Sequence, residues 1–83
     1  MPKKSKGEFL RAVEILWVDS KGVTNCWEDV DEMEEMKPIK CLSIGYLLQR
    51  CKRYVTICQS KSEQQILARM TIPAAAIKKI RNL

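Results

Sequence analysis

Residues 39 to 48 (IKCLSIGYLL) read as one extended strand with apolar side chains on both faces. Side chains alternate between the two faces of a strand, so both faces need cover. A chain of 83 residues builds one small core, which covers one of them. The other face needs either closure of the sheet into a barrel or a second subunit, and self-association is the expectation. Gly45, in the middle of the run, predicts a bend or bulge of the kind that lets a strand curl.

The rest of the chain supplies partners for that strand. Residues 9 to 18 (FLRAVEILWV) are rich in β-branched and aromatic residues. Val13, Ile15 and Trp17 fall on one face, and Leu10, Ala12, Leu16 and Val18 on the other. Asp19-Ser20-Lys21-Gly22 reads as a turn. Residues 54 to 58 (YVTIC) predict a short strand, and 66 to 72 predict another with Ile66, Ala68, Met70 and Ile72 on one side. Pro73-Ala74-Ala75-Ala76 followed by Ile77, Ile80 and Leu83 has helical spacing, while a tight turn leading into a strand is the other option. No uninterrupted apolar stretch exceeds four residues, far short of a membrane-spanning helix.

Charge is strongly segregated. Residues 28 to 35 (EDVDEMEE) hold six of the ten acids, leaving 15 bases against four acids elsewhere, a net of +11. Within this segment Trp27, Val30, Met33 and Met36 recur every three residues. That spacing predicts an amphipathic helix over 27 to 36, capped by Thr24 or Asn25 and closed by Pro38. Residues 1 to 7 (MPKKSKG) predict a flexible basic tail with no apolar signal region, so residues 8 to 83 form the expected single domain in a cytoplasmic protein.

Chemistry-bearing residues are sparse. With no His in the chain, no Gly-rich phosphate loop and no nucleophile elbow, the expectation is a non-enzyme without cofactor or metal. Cys26, Cys41, Cys51 and Cys58 lack the short spacing of zinc sites. In a reducing compartment they read as free thiols, Cys41 and Cys58 as small buried hydrophobes and Cys51, beside Arg50, Lys52 and Arg53, as the one with cations to activate it.

The ordered set VEILWVDS, CWEDVDEMEEMKP, KCLSIGYLLQ and MTIPAAAIKKI resembles small uncharacterised proteins of tailed bacteriophages, over positions 12 to 83. That resemblance implies residence in the cytoplasm of an infected bacterium and no particular activity. At fold level, the bent strand at Gly45 and the step from Ile72-Pro73 to Ile77 resemble Sm-like and SH3-like small barrels. This second resemblance implies a mainly β fold: a strongly bent five-stranded antiparallel barrel, residues 76 to 82 forming its last strand. The one short acidic helix read above is inserted after the first strand, where Sm proteins carry theirs before it. The resemblance also implies homo-oligomers, a ring among them, and RNA binding. The chain lacks the Asp and Asn loop residues with which Sm proteins contact RNA.

Two functional readings follow. The first is a non-catalytic phage accessory protein that engages host machinery or a defence component through Trp27, Glu28, Asp29, Asp31 and Glu32. The second is an oligomeric single-stranded RNA or DNA binder using Arg50, Lys52, Arg53, Tyr54, Lys78, Lys79 and Arg81, with Tyr46 across the hairpin as a stacking ring. For the acidic segment three other roles stay open. It resembles a phosphate-backbone mimic; its apolar stripe could cap the barrel with the acids solvated; or one copy's segment could meet the basic surface of the next. Trp17 and Trp27 read as core or interface anchors, or as a ligand-stacking pair.

Overall fold

β-Branched alternation builds the framework. The computed structural model describes residues 10–22 and 24–83, so the basic tail expected at residues 1 to 7 lies outside the described residues. Five strands form: β1 (Ala12–Asp19), β2 (Ile39–Arg50), β3 (Tyr54–Lys61), β4 (Ile66–Pro73) and β5 (Ile77–Asn82). They make one antiparallel sheet in the order β4-β3-β2-β1-β5.

Register assigns the faces, because directly opposed residues point to the same side. On the inner face Val13 lies opposite Gly45, Ile15 opposite Ser43 and Ile80, and Trp17 opposite Cys41 and Ile77. Val13 and Ile15 are wholly buried and join Val55, Ile57 and Ile72 in the core. Trp17, Leu47, Ala76, Ile77 and Ile80 pack around that cluster. The Trp17 indole Nε1–H donates to Ser43 Oγ at 3.0 Å, which satisfies its polar end while its rings stay against the core. The Thr56 and Thr71 hydroxyls bond each other across β3 and β4 at 2.8 Å.

The sheet does not close into the expected Sm-like or SH3-like barrel. β4 and β5 are its two edges and do not pair with each other. Closure needs an apolar strip on each edge strand facing a shared interior. β4 brings Met70 and Ile72 to the inner face, opposite Ile57 and Val55, yet only Ile72 is buried and the strand's other seven residues are exposed. The 3-10 turn Ala74–Ala76 then carries the chain to the free edge of β1, where β5 pairs. The last segment is therefore strand, as the fold-level likeness implied, yet the architecture is an open five-stranded sheet.

The acidic helix after the first strand is also absent. Only Val30–Glu32 form a 3-10 turn, with Glu32 N–H donating to Asp29 O at 3.1 Å. Glu28 and Glu32, and Asp31 and Glu35, would stand four apart on a helix and repel, with no base between them to compensate. Glu34 and Glu35 would also oppose the helix dipole at its C-terminal end. Short helices depend on packing for stability, and every residue from Thr24 to Lys40 is exposed.

Gly45 serves a different purpose from the one expected. Its strand is irregular further on, where register with β3 shifts between Leu47 and Gln49. A Cβ at Gly45 would sit 2.7 Å from the Cys58 carbonyl oxygen and 3.2 Å from the Ile57 side chain. Glycine is there so that β3 can lie close against β2.

Candidate interaction surface

The two groups of sequence-predicted site residues meet different fates. Arg50 ends β2 opposite Val55, Lys52 and Arg53 follow in the β2–β3 connection, and all three are exposed. Cys51 N–H donates to Tyr54 O at 3.0 Å, and Ala74 N–H to Arg53 O at 2.8 Å, which ties this connection to the 3-10 turn before β5. Tyr54 is half-buried opposite Pro73. Tyr46 does not join them: it lies opposite Ala12 and Cys58, with Lys61 Nζ 5.0 Å from its ring centre. Tyr46 thus lies across the β2–β3 hairpin, further from its basic end than Tyr54.

β5 divides the remaining cations. Its register with β1 shifts between Leu16 and Trp17, so Lys79 lies opposite Leu16 while Lys78 falls in the irregular step. Lys78 lines a hollow with Asp19, Pro38, Ala75 and Ala76. Arg81 lies opposite Glu14 and holds it in a two-pronged ion pair, Nε to Oε1 at 2.8 Å and Nη2 to Oε2 at 3.3 Å. Those bonds raise the Arg81 guanidinium pKa further and take up its charge. The seven residues expected to bind nucleic acid therefore lie on two elements, the β2–β3 hairpin end and the edge strand β5, and Arg81 is already paired with Glu14.

The acidic set is presented in the opposite manner. Trp27 has 103% of its reference surface exposed, and Val30, Met33 and Met36 are exposed with it. The expectation that this stripe caps the body fails, because no helix forms to aim it inward. Glu28, Asp29, Asp31 and Glu32 surround the same side chains in sequence and are exposed as well. Trp17 and Trp27 do not pair: one is engaged with Ser43 and the core, the other touches neither.

One surface was not singled out in the sequence. On the outer face Leu16 lies opposite Leu42, Glu14 opposite Ile44, and Val18 opposite Lys40. Leu16 is 40% exposed and Leu42 and Ile44 are each 60% exposed. Leu16, Leu42, Lys79 and the Glu14–Arg81 pair line a hollow of about 170 Å³. The signal for this face was the two-sided apolar pattern of residues 39 to 48, whose second side remains uncovered within one copy.

The thiols sort by burial. Cys58 is buried, and its burial pushes the thiol pKa up while Lys61 pulls it down. Cys41 is half-buried, and Cys26 and Cys51 are exposed. Among the described residues no three acidic or thiol side chains come together as a metal site, and no helix is long and apolar enough to cross a membrane. No protein-family model, no curated protein and no solved structure matches the chain.

Proposed function

We propose that the chain is a non-catalytic interaction protein, a small sheet that presents the acidic, Trp-bearing segment 27 to 36 to a protein partner. The observation that carries this reading is the full exposure of Trp27 together with Val30, Met33 and Met36. Scattered exposed apolar residues are ordinary, but a tryptophan and three large aliphatic side chains within ten residues mark an interaction element. The six acids around them keep the segment soluble before binding and choose a basic partner surface. In this reading it is a phage accessory protein in the host cytoplasm, working as a homo-oligomer and acting on host machinery or a defence component.

The rival, an oligomeric single-stranded RNA or DNA binder, has one observation in its favour: Arg50, Lys52, Arg53, Lys78, Lys79 and Arg81 are all exposed. Titration with a mixed-sequence single-stranded RNA at physiological salt separates the two. The interaction reading expects only non-specific binding, with a dissociation constant of about 10 μM or weaker. Submicromolar binding that is lost when Arg50, Lys52 and Arg53 become Ala would establish the rival.

A further inference from the structure

We infer that the partner surface for segment 27 to 36 is the outer face of a second copy of this chain, centred on Leu16, Leu42 and Ile44. The inference rests on the reading of that segment as a binding element. It adds the surface the segment occupies.

Three observations carry it. First, the two surfaces match in chemistry. The segment sets four large apolar side chains among six acids, and the face is an apolar patch bordered by cations. Lys40 and Lys79 lie at its margins on β2 and β5, and among the described residues neither takes part in an ion pair. The Glu14–Arg81 pair closes a third side, its own charges already balanced. Opposite charges around a desolvated apolar centre give both register and affinity.

Second, each surface lacks cover within one copy. Trp27, Val30, Met33 and Met36 are exposed, and so are Leu16, Leu42 and Ile44. The 19-residue connection carrying the segment, residues 20 to 38, is long enough to double back, yet both surfaces stay exposed. Third, β2 is apolar on both faces and the open sheet covers only the inner one. A second copy supplies the cover that barrel closure does not.

Docking the segment orders it: with its acids facing Lys40 and Lys79, the repulsion that prevents a helix is relieved. The contact joins different surfaces on the two copies, so it propagates head to tail and ends where the rotation closes.

The test is light scattering of the full chain with two variants at exposed positions, Trp27→Ala/Met33→Ala and Leu42→Glu, with Ile44→Glu as a second face variant should Leu42→Glu fail to fold. The wild type is expected to be a multimer that loses mass as salt is raised. Each variant alone is expected at the monomer mass of 9.6 kDa. Their equimolar mixture is expected to regain a species of twice that mass, because one intact segment then meets one intact face. A wild-type monomer at every concentration overturns the inference, as does a mixture that stays monomeric. A multimer broken by the segment variant but untouched by both face variants overturns the assigned face while leaving the segment a binding element. A multimer untouched by all variants overturns the inference and leaves the segment free for a different protein, as the proposed function has it.

Discussion

The sheet and the connection 20 to 38 hold similar apolar residues and treat them in opposite ways. In the sheet Val13 and Ile15 alternate on a strand that has neighbours on both sides, and both are wholly buried. In the connection Trp27, Val30, Met33 and Met36 have helical spacing but no surface to pack on, and all four are exposed. The difference teaches that periodicity proposes an element and packing decides it. Period-two segments found partners within the chain. The period-three segment did not, and its acids removed what helical propensity remained.

The largest effect that separates the two regions comes from truncating matched apolar residues. Ile15→Ala empties a fully buried site and is expected to cost about 3–4 kcal/mol in chemical unfolding, enough to unfold most of a domain this small. Trp27→Ala removes a larger side chain and is expected to leave stability within about 0.5 kcal/mol when measured at a concentration too low for assembly, since nothing within one copy packs on it. Equal losses from the two would erase the contrast.

Gly45→Ala comes next. The added methyl meets the Cys58 carbonyl oxygen at 2.7 Å, a backbone atom that moves only if β3 does. The expected cost is about 2–3 kcal/mol by urea titration.

Much of the sheet was legible in the sequence. The inner face of β1 followed from Val13, Ile15 and Trp17, and β3 from its β-branched run. Local propensity favoured a helix after Pro73; pairing of β5 with β1 overrode it, with Ile77 and Ile80 packing on the core. Barrel closure was not legible, because β4 does turn Met70 and Ile72 towards the core face while β5 pairs with β1 alone, and a strand pattern does not say whether the last strand also meets β4. The candidate cations Arg50, Lys52, Arg53, Lys78, Lys79 and Arg81 are exposed, and no sequence pattern says which of them share a surface. Tyr46 is taken by Lys61 and Arg81 by Glu14, pairings that join residues 15 and 67 positions apart in sequence. The Leu16–Leu42–Ile44 face was implied by the two-sided β2, but only register brings Leu16 beside Leu42.

β4 offers a smaller test in the stabilising direction. Ala68 has φ 58°, in the left-handed region where a Cβ is strained. Ala68→Gly relieves that strain and is expected to raise stability by about 1 kcal/mol, read as a higher urea midpoint.

The smallest effect is a pH dependence that belongs to the sheet alone. Burial raises the Cys58 pKa above its ordinary 9.0, so the folded chain holds that proton more tightly than the unfolded one. Stability is therefore complete below pH 9.0 and declines as pH rises through the folded pKa. Unfolding curves across that window should show the decline, and Cys58→Val should flatten it. An unchanged slope in the variant would assign the decline to other groups.

The most direct measurement exploits the register at the base of the connection, where Asp19 lies opposite Ile39. A two-residue Asn-Gly hairpin turn can replace residues 20 to 38 without moving either strand. Thermal unfolding and light scattering of that shortened chain test whether the sheet stands alone and the segment serves binding. The expected result is a folded protein at least as stable as the wild type, its loop closure being shorter, and monomeric at every concentration. A chain that fails to fold, or one that folds and still assembles, would contradict the division of the molecule into a self-sufficient sheet and a binding segment.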